Sequence, residues 1–150
     1  PPVGNKYLYN GRDFFVMVIA GPNARNDFHL VDSEEYFYQL KGDIVVRTRE
    51  GEKIVDHRVR EGETFFIPPN VPHCPMRPPH TLGVVVEKTR HAGEKEHILF
   101  FCEGCGALVE DILFDCSLES YRLNDVYKVS GSIDAYINAI DVSFPRAFGQ

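Results

Sequence analysis

No apolar run in this 150-residue chain is long enough to cross a bilayer as a helix: the most apolar stretch, Phe14–Ala20, is a fraction of the ~20 residues a span needs. It suits a buried strand instead. Nor is there an excess of basic charge. Lys plus Arg number 16 against 22 Asp plus Glu, a net charge of −6 with a pI near 5.5. That balance provides no overall footprint for nucleic acid or an anionic membrane, although a localised basic pocket is compatible with it. The chain begins Pro1-Pro2-Val3, without an initiator Met, a basic leader or a signal-like apolar stretch. A trimmed start fits the same end, and the expected setting is cytoplasmic. Four Cys in a chain of this size do not make a disulfide scaffold. There is no internal repeat, low-complexity tract or linker, so residues 1–150 read as a single domain.

What is present is a globular composition, 43% apolar and 25% charged, with enough chain to bury a core. Between Arg12 and Phe114 short segments rich in Val, Ile, Phe and Tyr alternate with turns. Strands are expected at 14–20, 35–40, 43–49, 53–59, 64–67, 82–88, 98–102 and 108–114. The breaks fall at Gly21-Pro22-Asn23, Lys41-Gly42-Asp43, Glu50-Gly51-Glu52, Glu61-Gly62-Glu63 and Pro68 to Pro72. Many short strands at regular spacing predict an all-β sandwich or barrel with its core at about 12–114. In the C-terminal extension, about 115–150, Ile133, Tyr136, Ile137 and Ile140 follow Ser132 at helical spacing and predict a short helix.

Three residues stand out as metal ligands: His29, Glu35 and His73. Two imidazoles and a carboxylate suit a facial triad for non-haem Fe(II) with open positions. His29 and Glu35 lie roughly 20 Å apart if both sit in one extended strand, so they share an ion only if the chain turns, and Asp32-Ser33 is the plausible turn. Glu35, Phe37 and Gln39 share one face of their strand, so Phe37 lines whatever cavity Glu35 enters. His73 follows the stiff segment Pro68-Pro69-Asn70-Val71-Pro72. Each residue alone has an ordinary structural reading; the combination carries the weight.

Glu35-x6-Gly42 preceded by His29 resembles the first cupin motif, and Gly62-x5-Pro68-x-Asn70-x2-His73 resembles the second, with Asn70 where glycine is usual. The first motif's His-x-His is reduced to Asp27-Phe28-His29. The runs Gly21 to His29, Glu35 to Leu40, Pro68 to Arg77 and Val84 to Glu87 resemble the 3-hydroxyanthranilate 3,4-dioxygenase family over about two-thirds of the chain. The resemblance implies a cupin, or double-stranded β-helix (jelly-roll), barrel. It implies opening of the 3-hydroxyanthranilate ring with O2 at Fe(II), giving 2-amino-3-carboxymuconate semialdehyde, which cyclises to quinolinate in NAD biosynthesis. It further implies that His29, Glu35 and His73 hold iron, that Arg25 and Arg77 grip the substrate carboxylate, and that Glu87 contacts the substrate and takes its phenolic proton. Read without the resemblance, Glu87 is a strand-end acid paired with Lys88 or Arg90, and each Arg a surface salt bridge. Val3, Asn5 and Pro75 match pocket positions of the family.

Cys102 and Cys105 have the knuckle form of half a tetrathiolate site. Bacterial and fungal relatives add a second CxxC that this chain lacks, leaving Cys74, tied to the iron loop, and Cys116. A complete four-Cys site for a second metal on Cys102 and Cys105 is therefore not the expectation; a three-Cys site with His97 and a free dithiol are the alternatives. His57, His80, His91 and His97 are expected at the solvent-exposed surface. The same chemistry on another ortho-aminophenol carboxylate, and a cupin that binds a small anion without turnover, are the alternative functions. A homodimer is a family-level expectation.

Overall fold

The computed structural model describes residues 5–115. Val3, Cys116 and the helix expected at 133–140 lie outside the described residues. Eleven strands follow one another: β1 (Asn5–Asn10), β2 (Phe14–Ala20), β3 (Asp27–Leu30), β4 (Glu35–Lys41), β5 (Ile44–Glu50), β6 (Lys53–Val59), β7 (Thr64–Ile67), β8 (His73–Met76), β9 (Leu82–Lys88), β10 (Lys95–Phe101) and β11 (Leu108–Asp115). Among the described residues every helix or strand element is a strand, as the composition and turns predict, and no helix is long and apolar enough to cross a membrane.

The strands form two antiparallel sheets, ordered β1-β2-β9-β4-β7 and β11-β10-β3-β8-β5-β6. Because most sheet neighbours are distant in sequence, the chain passes repeatedly from one sheet to the other, the jelly-roll arrangement of the cupin expectation. The sheets face each other across one apolar cluster. Phe37, Ile67 and Val85 come from the five-stranded sheet, and Ile44, Val46 and Val59 from the six-stranded one. Burying each such side chain contributes about 1.5–3 kcal/mol, so this seam holds the two sheets together. The alternation read in β4 is realised: Glu35, Phe37 and Gln39 are buried, while Tyr36, Tyr38 and Leu40 face out.

Three strands were not anticipated. β1 (NKYLYN) and β3 (DFHL) are too short and polar to show periodicity, and β8 (HCPM) contains a proline. Pairing with neighbours makes them strands: β1 with β2, β3 with β8 and β10, β8 with β5. Asn70 takes φ +62, the left-handed conformation that glycine or asparagine adopts most readily, which explains why Asn serves where glycine is usual. Its backbone N–H donates to Val31 O at 2.8 Å, clipping the proline-rich loop onto the turn between β3 and β4.

Candidate metal centre

The turn after β3 carries the chain across the barrel. β3 lies in the six-stranded sheet and β4 in the five-stranded sheet, so residues 31–34 place His29 and Glu35 on facing walls. His73 arrives by register, since it pairs with His29 across the β3–β8 ladder. The outcome is one cluster: ligand atoms of His29, Glu35 and His73 all lie within 4.8 Å of one another.

His29 Nδ1 is 3.1 Å from Glu35 Oε1, and His73 Nε2 is 3.3 Å from Glu35 Oε2. Glu35 and His73 are almost fully buried, and Glu35 Oε1 receives no aligned hydrogen bond. A buried carboxylate whose two oxygens each face one imidazole nitrogen, one of those oxygens without an aligned donor, is a donor set that a divalent transition metal could complete. The far nitrogens are anchored. His73 Nδ1 donates to Val71 O at 2.9 Å, and His29 Nε2 lies 2.6 Å from Glu96 Oε2. Such outer partners fix ring orientation at metal sites. In the ion-free protein, burial opposes protonation of His29, but the carboxylates of Glu35 and Glu96 outweigh it and push its pKa up to about 10. Burial likewise opposes ionisation of Glu35, and the charge of His73 together with His29 brings its pKa well below the usual range.

The two arginines lie together at one end of the β3–β8 ladder. Arg25 stands four residues before His29, and Arg77 four after His73, so the antiparallel register carries both to the same end of the ladder. Asn23 N donates to Arg77 O at 2.9 Å, and Asn23 Oδ1 accepts from Arg77 N at 2.6 Å, tying the two segments together. Neither Arg is the exposed salt bridge of the ordinary reading. Arg25 grips Asp27, which is 2% exposed, through Nε at 3.2 Å and Nη2 at 2.5 Å. Arg77 is buried, donates from Nη1 to Gln39 Oε1 at 3.3 Å, and has no partner for Nη2. Burial and the nearby charge of Arg25 lower its pKa to about 10, which leaves it cationic at neutral pH. A buried cation with an unpaired donor is suited to an anionic ligand.

Glu87 pairs in register with Glu35 across β4–β9, so it faces the same interior. It also meets Arg90, 2.7 Å from Oε2, so the inward acid and its pairing with Arg90 hold together. Burial and the charge of Glu35 raise its pKa to about 7. Phe37 belongs to the apolar seam and stands edge-on to His73, with ring centroids 6.4 Å apart. Pro75 lies in β8, where its carbonyl accepts from Asn23 Nδ2 at 2.8 Å. Asn5 opens β1, and its Oδ1 is buried without a partner. Sequence reasoning missed Asp27, Gln39, Arg90 and Glu96 as parts of the site. Gln39 was legible from its place on the face of Glu35; Glu96 gave no such signal, because only pairing of β10 with β3 brings it to His29.

The cysteines stand apart. Cys102 and Cys105 lie in the hairpin between β10 and β11, Cys74 is buried in β8, and His97 bonds Asp111 at 2.6 Å. Among the described residues the only group of three or more potential ligands is His29, Glu35 and His73. Backbone N–H groups of Cys105 and Gly104, with the Cys105 side chain, lower the pKa of Cys102, whereas burial pushes Cys74 up to about 11. Iodoacetamide at pH 8, read by mass spectrometry, should label Cys102 in the native protein and spare Cys74 until denaturant is added. Of the remaining histidines, His80 and His91 are exposed as expected; His57 and His97 are half-buried, because Glu50 and Asp111 hold them against their strands.

Comparison with known proteins identifies the family of the chain. The family described as 3-hydroxyanthranilic acid dioxygenase matches residues 1–129. A 3-hydroxyanthranilate 3,4-dioxygenase of Ruegeria pomeroyi is 46% identical over 110 residues, covering 73% of this chain and 61% of that one. A protein of the same name from Lodderomyces elongisporus is 38% identical over 150 residues, covering 100% of this chain and 82% of that one. The chain thus spans about three-fifths of the length of the bacterial relative and four-fifths of the yeast one. A solved cupin-2 domain protein from Shewanella frigidimarina is similar at 18% identity and TM-score 0.49, over 57% of this chain and 79% of that one. On the extent of the family match and these identities, the chain belongs to the 3-hydroxyanthranilic acid dioxygenase family.

Proposed function

We propose that the chain is an Fe(II)-dependent dioxygenase that opens the ring of 3-hydroxyanthranilate with O2, yielding 2-amino-3-carboxymuconate semialdehyde, the precursor of quinolinate. The observation that carries this reading is the convergence of His29, Glu35 and His73 within 4.8 Å, with the unpaired guanidinium donor of Arg77 four residues beyond His73. Held by those three residues, Fe(II) would supply positions for the substrate's hydroxyl and amine and for O2, whose two atoms both end in the product.

The chain's own residues do the rest. Arg77 offers its unpaired Nη2 to the substrate carboxylate, and Arg25, held in place by Asp27, offers the second cation. Glu87, whose pKa burial and Glu35 lift to about 7, accepts the phenolic proton at Oε1, the oxygen that Arg90 does not engage. The apolar seam around Phe37 closes one wall against water. A homodimer serving NAD biosynthesis, as the family resemblance implies, completes the reading, with a cytoplasmic setting as the default expectation.

Anaerobic reconstitution with Fe(II), followed by 3-hydroxyanthranilate and air, should give oxygen uptake matched by ring-opened product. Turnover of a different ortho-aminophenol carboxylate in its place would redirect the substrate assignment. Anion binding without turnover by any of them would overturn the enzyme reading.

Gly83 supplies a more local check. A Cβ there would stand 2.8 Å from Gln39 Oε1 and 2.9 Å from Arg77 Nη1, displacing the pair that aims Arg77. Gly83→Ala should raise KM about tenfold, ~1.4 kcal/mol, with a smaller change in kcat. Steady-state kinetics alongside thermal melting would separate this from simple destabilisation.

A further inference from the structure

Arg90 is not among the residues that the family resemblance assigns, yet it occupies a singular place. It lies in the segment that carries the chain from β9 in one sheet to β10 in the other. Its side chain is 8% exposed and engages three acceptors: Nη2 donates to Glu87 Oε2 at 2.7 Å, Nη1 to Lys88 O at 2.6 Å, and Nε to Glu96 Oε1. The guanidinium also sits 5.4 Å from the ring centroid of Phe15, the register partner of Glu87 in β2. Glu96 in turn reaches His29, with Oε2 2.6 Å from Nε2.

One planar cation therefore links Glu87, beside the metal cluster on one sheet, to Glu96, behind a ligand on the other. The segment that presents it is pinned. Thr89 N donates to Asp13 O at 3.0 Å, Thr89 Oγ1 to Gly11 O at 2.9 Å, and Lys88 pairs with Glu94 at 2.8 Å. Two carboxylates this deeply buried repel each other unless a cation stands between them, and a rigid fork fixes their directions as well as their charge.

We propose that Arg90 is the positioning residue of this site: through Glu87 it aims the carboxylate that takes the substrate proton, and through Glu96 it orients the ring of His29 toward the metal. The Glu87 arm rests on the functional reading above; the His29 arm needs only a bound ion.

The test uses Arg90→Met, Arg90→Lys and Glu96→Gln, with Arg90→Met also placed in a Glu87→Gln background. Fe(II) affinity is measured anaerobically by competition with a chromophoric chelator, and kcat and KM at saturating iron. Arg90→Met and Glu96→Gln should each weaken Fe(II) binding about 10- to 100-fold, with Arg90→Lys recovering part of the loss. At saturating iron, Arg90→Met should lower kcat about 10- to 100-fold with KM nearly unchanged, and add nothing further once Glu87 is Gln. Unchanged iron affinity together with a kcat loss that multiplies in the Glu87→Gln background would overturn the proposal, whatever the melting temperature does. If Arg90→Met does not fold, Arg90→Lys and Glu96→Gln carry both arms, Arg90→Lys then taking its place in the Glu87→Gln background. If the wild type binds iron but turns over no substrate, the functional reading fails separately, and the affinity arm still decides whether Arg90 orients His29.

Discussion

Glu35→Ala is expected to leave the protein unable to retain Fe(II) through dialysis and to abolish turnover. Glu35 is the one residue whose two oxygens face both imidazoles, at 3.1 and 3.3 Å, so removing it leaves two neutral donors on one strand pair and no charge to balance the ion. The loss of affinity should exceed the about 10- to 100-fold that an outer partner of a metal ligand costs. Metal analysis and chelator competition measure it, and retention of stoichiometric iron by the variant would remove Glu35 from the ligand set.

The same site predicts two opposite pH dependences. With its pKa raised to about 10, ion-free His29 carries an extra proton at neutral pH, and an incoming ion must displace it. Metal affinity therefore rises with pH, by about one logarithmic unit per pH unit while that proton is the one released. The stability that the raised His29 pKa contributes to the ion-free fold is fully present below its ordinary value of 6.5 and is lost as pH climbs through about 10. Chelator competition and thermal melting of the ion-free protein across that window should thus move in opposite directions.

Arg77→Met is expected to impair recognition of the carboxylate far more than the ring chemistry. Truncating a buried, hydrogen-bonded charged partner costs about 2–5 kcal/mol, roughly 30- to 4000-fold in kcat/KM for 3-hydroxyanthranilate. Arg25 should show a smaller effect, since Asp27 already engages its fork, whereas Arg77 holds an unpaired Nη2 for the ligand. The informative control is 2-aminophenol, which lacks the carboxylate: its kcat/KM should scarcely change. An equal loss for both substrates would mean that Arg77 supports the pocket rather than the anion. Arg77→Lys should recover only part of the loss, because an ammonium cannot present the planar fork.

Much of this site was written in local pattern. The alternation in Glu35–Leu40 assigned Glu35, Phe37 and Gln39 to one face, and the structure buries all three. Arg25 and Arg77 came from the family resemblance, whereas the stiff run before His73 and the turn at Asp32-Ser33 needed only spacing and turn chemistry to read. Such features are legible because strand geometry repeats every two residues and proline and glycine restrict the backbone at one position.

The remainder came from contacts with no sequence period. β3 and β8 are four-residue strands, one containing proline, and they exist because neighbouring strands supply their hydrogen bonds. Glu96 lies 67 positions from His29, and no local rule joins them. Arg25 was legible as a cation, but its bidentate hold on a buried Asp27 was not. The amino-acid sequence by itself determined the all-β architecture of the described residues and the residue types of a candidate metal site. Only the tertiary structure decided that the three candidate ligands converge from two facing sheets, and that Arg90 stands between two buried carboxylates. Those facts depend on which strands lie side by side, and pairing between distant segments is set by closure of the whole barrel around its shared core.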